Sequence, residues 1–375
     1  MTFDAWLHAQ RDDRAARGLT RSLTPRSTRP STIDLAGNDY LGLRRHPTVC
    51  QAAADAALIW GAGAGASRLV TGTLDLHCEL EDELAAFTGS AAALVHSTGY
   101  HANLAAVTAL TDRDTLLVSD AHVHASLVDA CRLARPGRLV VAPHNDVGAV
   151  RDQLASRSEA RALVLVESVY SVLGDAAPLL DLVAAVDTYD GVLVVDEAHA
   201  LGVSGDGGRG LVAAAGLADR SDVLVTATLS KALGAQGGVV LGSTAVVQHL
   251  VNTARPFIYD TALAPPAAAA ALAALRVVNR QPDLPQLVLN RAGAMAAALG
   301  QPLPAGAVLS TPLTGPAEAL QAQAALAEVG IQVGCFRPPS TPDGSSRLRI
   351  TASAGLTSAD LAHVLDALGR LETPR

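Results

Sequence analysis

Lysine is nearly absent from this chain of 375 residues: Lys231 stands alone, and every other basic side chain among the 28 lysines and arginines is an arginine. A guanidinium stays protonated at any working pH, whereas an ε-amine is tuned by burial, gives up its proton and attacks carbonyls. A lysine kept in so arginine-rich a composition is therefore a candidate Schiff-base nucleophile, with a surface lysine retained by chance as the alternative. Cysteine is scarce as well. Cys50, Cys78, Cys131 and Cys335 are scattered and form no CxxC pair, which argues against a zinc site and a disulfide framework. They are expected to be buried small apolar residues. Hydrophobic residues reach 49% with a mean hydropathy of +0.27, but much of this is alanine, as at residues 267–271. No window offers the ~20 large apolar residues that span a bilayer. The first residues, with Asp4, Arg11, Asp12, Asp13 and Arg14 among them, lack the apolar centre of a signal peptide, so a cytoplasmic location away from the membrane is expected. Positive charge is in deficit: a net charge of -8 and a pI near 5.7 exclude a nucleic-acid surface, which needs clustered cations. The arginines between positions 11 and 45 read as a solvated arm with local substrate contacts.

What the chain does have is length and rhythm. Its 38.2 kDa suffice for a large core and more than one domain. Short β-branched runs at residues 93–95, 115–118, 138–142, 162–166, 192–195, 223–226 and 239–241 alternate with alanine-rich helical stretches. Apolar strands without polar alternation, spaced by helices, belong to a mostly parallel sheet covered on both faces. After Pro265 the pattern changes to an alanine-rich helix, a proline-marked linker around 302–316, a helix over 318–329, and strands at 331–336 and 347–351. The expected fold class is α/β. A large domain spans residues 46–262 and a smaller α+β domain spans 263–375, with the segment 1–45 joining the smaller one.

Lys231 follows the run 223–226 by way of Thr228-Leu229-Ser230, just before the turn glycines Gly234, Gly237 and Gly238. Upstream, Val194-Val195-Asp196-Glu197-Ala198-His199 ends a buried strand on a carboxylate, with an imidazole three residues on. An ATPase reading of that box requires a phosphate loop ending in Gly-Lys-Ser/Thr, and the lone lysine sits instead in Ser230-Lys231-Ala232. Pyridoxal phosphate suits the residues better. Its ring nitrogen must stay protonated to accept electrons, and a buried carboxylate such as Asp196 raises that nitrogen's basicity. His122 and His124 suggest a metal pair, but no carboxylate or cysteine accompanies them at ligand spacing, so no metal is expected. Gly61, Gly63 and Gly65 lack the GxGxxG spacing of a dinucleotide site.

Further stretches stand in order along the chain: Asn38-Asp39-Tyr40-Leu41-Gly42-Leu43, Gly63-Ala64-Gly65-Ala66-Ser67-Arg68-Leu69-Val70-Thr71-Gly72, Ser97-Thr98-Gly99-Tyr100, His124-Ala125-Ser126, Glu167-Ser168-Val169-Tyr170-Ser171, Ile258-Tyr259-Asp260-Thr261 and Arg347-Leu348-Arg349-Ile350. Together with the Asp196 box and Lys231, this series resembles the α-oxoamine synthases, a family of fold type I pyridoxal-phosphate enzymes, almost from end to end. The resemblance implies that Lys231 binds the cofactor and serves as catalytic base, that Asp196 faces its ring nitrogen, that His199 reaches its phenolic oxygen and that His124 stacks on its ring. Gly99, Tyr100 and Thr228 would hold the phosphate, with Ser230 a weaker candidate. Thr261 matches a residue that the family donates to the neighbouring subunit's phosphate, which implies a homodimer with active sites at the interface. Ser171 and Glu167 match positions near the cofactor hydroxyl and the thioester. Asn38 and Arg349 match groups around the amino acid, Arg349 being suited to a bidentate carboxylate clamp and Arg347 being near enough to be confused with it.

The reaction so implied is decarboxylative condensation of a small amino acid with an acyl thioester. The segment Phe336-Arg337-Pro338-Pro339-Ser340-Thr341-Pro342 resembles the branch that joins L-alanine to pimeloyl-CoA or a pimeloyl carrier protein in biotin biosynthesis. Arg21 is the first choice for the distal acyl carboxylate. The alternatives are a glycine-using 2-amino-3-oxobutyrate CoA ligase, an aminotransferase or decarboxylase on the same fold, and a non-catalytic regulator. The last is opposed by the filling of every matched catalytic position.

Overall fold

The apolar runs become strands because both of their faces find cover. The computed structural model describes every residue except 18, 22, 24, 29, 30, 339, 340, 342 and 372–375. After a short β1 (Ile33–Asp34) come β2 (Ala92–His96), β3 (Thr115–Asp120), β4 (Arg138–Ala142), β5 (Arg161–Glu167), β6 (Val192–Asp196), β7 (Val223–Thr228) and β8 (Gly238–Gly242). β2 to β8 form one seven-stranded sheet in the order β2-β8-β7-β6-β5-β3-β4. Only β8 runs against its neighbours, pairing antiparallel with β7 and β2. Side chains alternate between faces with a period of two, and here both faces are apolar: Val164 and Val166 of β5 enter one core, Leu163 and Leu165 the other.

The carboxyl ends of β3, β5, β6 and β7 finish in Asp120, Glu167, Asp196 and Thr228. Register sets Glu167 beside Asp196, and Asp196 beside Thr226. Ligands in open α/β sheets bind beyond this edge, where loops leave the strands.

Beyond Pro265 the expectations need three corrections. The proline-marked stretch 302–316 is no mere linker, because it contains β9 (Val308–Leu313). Pro312 is tolerated there because β9 lies at the edge of its three-stranded sheet, in the order β11-β12-β9. The strand expected over 331–336 is two, β10 (Ile331–Gln332) and β11 (Gly334–Phe336), serving different sheets. β10 pairs in parallel with β1, and β11 pairs antiparallel with β12 (Ser346–Thr351). A helix Asp283–Ala298 also stands where none was expected.

The cysteine expectation fails as well. Cys131 alone is buried, Cys50 and Cys78 are exposed, and Cys335 is half-buried, all four being free thiols. Cys50 and Cys78 fall on the outward faces of helices Pro47–Trp60 and Asp75–Thr88, which bury Val49 and Ala56, and His77, Leu80 and Leu84. Near the amino terminus, helix Phe3–Ala16 buries no residue. Among the described residues no helix is long and apolar enough to cross a membrane.

Candidate active site

A cleft of about 210 Å³ opens at the carboxyl edge of the large sheet, lined by Gly99, Tyr100, Asn103, His124, Ser126, Glu167, Asp196, His199, Thr228, Ser230 and Lys231 among others. Asp196 is 5% exposed. Its Oδ1 accepts the Ala198 N–H at 2.9 Å and its Oδ2 accepts Asn103 Nδ2 at 2.8 Å. Asn103 in turn donates to Ser126 Oγ at 2.8 Å and accepts from Thr226 Oγ1 at 2.5 Å, while Ser126 Oγ lies 2.8 Å from His124 Nδ1. One buried amide thus ties the strand-end carboxylate to the histidine whose ring is exposed to the cleft.

Burial pulls the Lys231 amine down to about 8, although the charges of Asp196 and Glu167 oppose the shift. Glu167 moves the other way. Burial, and then the neighbouring Asp196 charge, push its carboxyl well above the usual range. Its Oε2 accepts the Ser171 N–H at 2.9 Å, but Oε1 is buried with no partner in the protein. Burial, followed by the charge of Lys231, holds His199 far below its ordinary pKa and hence neutral.

The helix Gly99–Ala109 begins in the cleft, and a Cβ on Gly99 would stand 2.9 Å from the Thr228 Cβ. Only glycine allows the first turn to approach β7 this closely. The Thr228 and Ser230 hydroxyls lie 2.8 Å apart beside it. Unpaired N–H groups at a helix start, with two hydroxyls, suit a phosphate.

At the other end, Arg349 is 6% exposed. Its Nε donates to the Ser171 carbonyl at 2.7 Å and its Nη2 to Asn38 Oδ1 at 3.2 Å. Tyr40 Oη joins this group, 3.0 Å from Asn38 Oδ1 and 2.7 Å from His199 Nδ1, which leaves His199 Nε2 for the cleft. Arg347 is occupied elsewhere, with Nε 3.1 Å from Asp343 Oδ2 and Nη1 3.2 Å from Ser310 Oγ, so the two arginines are no longer interchangeable.

Lys231, Asp196, His199, His124, Glu167, Gly99, Tyr100 and Thr228 therefore converge on one cleft. Ser171, Asn38 and Arg349 do not line it; they are linked to it through Glu167, Tyr40 and His199. Tyr100 is 41% exposed, its hydroxyl bonded to Asp129. Thr261 is exposed on the loop after helix Arg255–Ile258, outside the cleft. Arg21 lines a separate cavity of about 840 Å³ with Arg14, Leu19, Cys335, Phe336, Arg337 and Pro338. Within the stretch Phe336 to Pro342, residues Pro339, Ser340 and Pro342 lie outside the described residues. Sequence reasoning gave no role to Asn103, Ser126, Thr226 or Tyr40. The available signal was a polar Asn103 amid the buried alanines of helix Gly99–Ala109.

These features fit pyridoxal phosphate: a lysine of lowered basicity, a carboxylate at one end of the cleft, a cradle that a Cβ would fill at the other, an exposed flat imidazole, and an unpaired buried oxygen on Glu167. Comparison with known proteins leads to the same place. A family profile described as aminotransferase class I and II matches residues 30–368. The 8-amino-7-oxononanoate synthase of Mycolicibacterium vanbaalenii is 52% identical over 372 residues, covering 99% of this chain and 98% of that relative. The enzyme of the same name from Mycobacterium tuberculosis is 54% identical over 358 residues, or 95% and 92% of the two chains. Among solved structures, a variant of serine palmitoyltransferase from S. paucimobilis with a bound PLP–myriocin aldimine reaches a TM-score of 0.89 at 30% identity, covering 97% of this chain and 96% of its own. The 8-amino-7-oxononanoate synthase of Francisella tularensis reaches 0.76 at 25% identity, covering 91% and 97%. The chain thus belongs to the aminotransferase class I and II family, as a fold type I pyridoxal-phosphate enzyme of the α-oxoamine synthase branch.

Proposed function

We propose that the chain joins L-alanine to a pimeloyl thioester, with loss of CO₂ and free thiol, to form 8-amino-7-oxononanoate in biotin biosynthesis. The observation that carries this reading is the meeting of Lys231 and Asp196 in one cleft, with Arg349 near enough for its charge to act on the Lys231 amine, in a chain 52% identical to a synthase of that name. Bound pyridoxal phosphate supplies an electron sink for negative charge at the amino acid's α-carbon.

Asp196, fixed by Asn103 and the Ala198 N–H, keeps the cofactor's ring nitrogen protonated. His124 offers a ring face for stacking, and His199 offers Nε2 to the phenolic oxygen. The Gly99 and Tyr100 N–H groups with the Thr228 and Ser230 hydroxyls hold the phosphate. Lys231 would anchor the cofactor by its amine, and that amine is placed to take the amino acid's α-proton. A pKa near 8 leaves a useful fraction of that amine unprotonated at neutral pH. Arg349 clamps the substrate carboxylate with the N–H groups that Ser171 and Asn38 leave available. Glu167, whose carboxyl burial pushes well above the usual range, would in its protonated form donate to the thioester carbonyl as negative charge gathers there.

Arg21, beside Arg14 and Arg337 around the larger cavity, meets the distal acyl carboxylate, whether the carrier is coenzyme A or a carrier protein. A homodimer that brings Thr261 to its partner's phosphate site is supported by the exposure of Leu58, Ile59, Leu69, Val70 and Tyr259. Residues 46–262 would form the cofactor domain. The segment 1–45 would join the smaller domain of 263–375, supported by the β1–β10 pairing. Four free thiols suit the cytoplasm.

The test is thiol release from a panel of thioesters offered with L-alanine or glycine. L-alanine with pimeloyl thioester should exceed glycine with acetyl-CoA by about tenfold or more in kcat/KM. The reverse preference would reject this reading in favour of the aminoketobutyrate ligase branch.

A further inference from the structure

His144 lies between two carboxylates beside the cleft, and the chemistry above makes no use of it. Its Nδ1 is 3.0 Å from Asp120 Oδ1 and its Nε2 is 2.8 Å from Asp175 Oδ2. A neutral imidazole has one N–H and an ionised carboxylate can only accept, so both bonds together require the doubly protonated ring. The neighbours suit a cation. His122 stacks on the ring at 3.8 Å and 13°, and Tyr170 meets it at 4.4 Å and 83°. Burial works against the charge, but the hydrogen bonds and charges of Asp120 and Asp175 outweigh it and hold His144 up at about 9. Burial and the His144 charge push His122 down, while burial and the Asp120 charge push Tyr170 up, so both of those rings stay neutral.

The two carboxylates belong to different parts of the site. Asp120 ends β3 and also accepts the N–H groups of His122 at 2.7 Å and Asn145 at 2.8 Å. It thereby holds the turn that leads to His124. Asp175 closes the loop after β5: its backbone oxygen accepts the Tyr170 N–H at 2.9 Å, and its Oδ2 accepts Asn145 Nδ2 at 3.1 Å. Ser171, next in that loop, supplies the carbonyl on which Arg349 rests.

We propose that the His144 imidazolium, bridging Asp120 and Asp175, is a positioning residue that ties the His124 turn to the Ser171 loop and so sets how Arg349 meets the substrate carboxylate. The last step rests on the substrate role given to Arg349 above. Loss of the proton leaves one N–H for two carboxylates, and one tie opens. The ring faces Asp120 from β3, Asp175 and Tyr170 from the β5 loop, and His122 from the turn; the Asp343 charge reaches His122, and the Glu167 charge reaches Tyr170. Because the folded pKa stands above the ordinary value of about 6.5, the stabilisation is full below that pH and lost as pH rises through about 9.

Nitrogen-15 NMR of histidine-labelled apoprotein tests the bridge without cofactor or turnover, the His144 signals being assigned by their absence from His144→Asn. Both ring nitrogens should be protonated near neutral pH and titrate only around pH 9; a neutral tautomer at neutral pH overturns the proposal. His144→Asn should raise KM for the amino acid about tenfold while kcat changes by less than about threefold. His144→Arg, a cation at every pH, should restore that KM and flatten its rise in alkali. If neither variant folds, the wild-type KM, corrected for the amino acid's own amine, still decides: a flat profile through pH 9 overturns the proposal. If Arg349→Lys leaves that KM unchanged, the substrate role of Arg349 falls, and the positioning step with it, while the NMR result stands as a separate finding.

Discussion

The two ends of the site are built differently. At the cofactor end the polar side chains come from buried strands and helices and each is held by another: Thr226 by Asn103, Asn103 by Asp196 and Ser126, Ser126 by His124. Around the wider cavity proposed to take the acyl chain, Arg14 extends from a helix that buries nothing and Arg21 is exposed. Proton transfer demands groups fixed to a fraction of an ångström, whereas choosing a long acyl chain needs only complementary charge at the right reach. Replacements at the first end should therefore cost orders of magnitude in rate, and replacements at the second only modest factors in affinity.

The largest effect is expected at Lys231. Lys231→Ala leaves the chain without a lysine, so borohydride treatment with cofactor present should trap no pyridoxyl-lysine, and thiol release should vanish. A covalent adduct that persists in the variant would break the cofactor assignment itself. Next comes Asp196→Asn, which keeps the shape and removes the charge. A loss on the order of 10³-fold in kcat, about 4 kcal/mol, is expected. A loss of less than about tenfold would show that Asp196 does not sustain the electron sink.

Asn103→Ala sharpens the comparison, because Asn103 supports Asp196 from behind. The change leaves the Asp196, Ser126 and Thr226 oxygens short of a buried partner, a cost of about 1–3 kcal/mol. Divided between stability and turnover, that predicts a lower urea midpoint and a kcat reduced roughly 10-fold. Wild-type values for both would mean that the Ala198 N–H alone positions the carboxylate.

The same contrast explains what the sequence could reveal. Strands apolar on both faces announce themselves as runs, and all seven strands of the large sheet were visible in this way. Lys231 stood out by rarity, and Asp196 and His199 by their place at a strand end. β9 was hidden because an edge strand tolerates Pro312, and prolines read as linker. Asn103, Tyr40 and His144 were hidden for another reason. Their partners are Asp196, His199 and Asp175, and only the folded chain brings such distant positions together. The outward-facing Cys50 and Cys78 went astray because residue type foretells burial only on average.

The smallest effect belongs to Arg21, and it decides whether the two ends are truly separate. An exposed cation meeting a solvated carboxylate contributes about 0.2–1 kcal/mol, which rises somewhat when the pair is partly enclosed and falls with added salt. Arg21→Ala should thus raise KM for pimeloyl thioester about 3- to 10-fold, more at low salt than at high. KM for L-alanine should hold, and turnover of a short thioester without the distal carboxylate should not change. Equal loss with short and long thioesters would mean that Arg21 supports the fold or the carrier, leaving Arg14 or Arg337 to meet the carboxylate. A fall in kcat to match that of Asp196→Asn would break the comparison outright, since it would place an exposed arm residue among the groups that govern the chemistry.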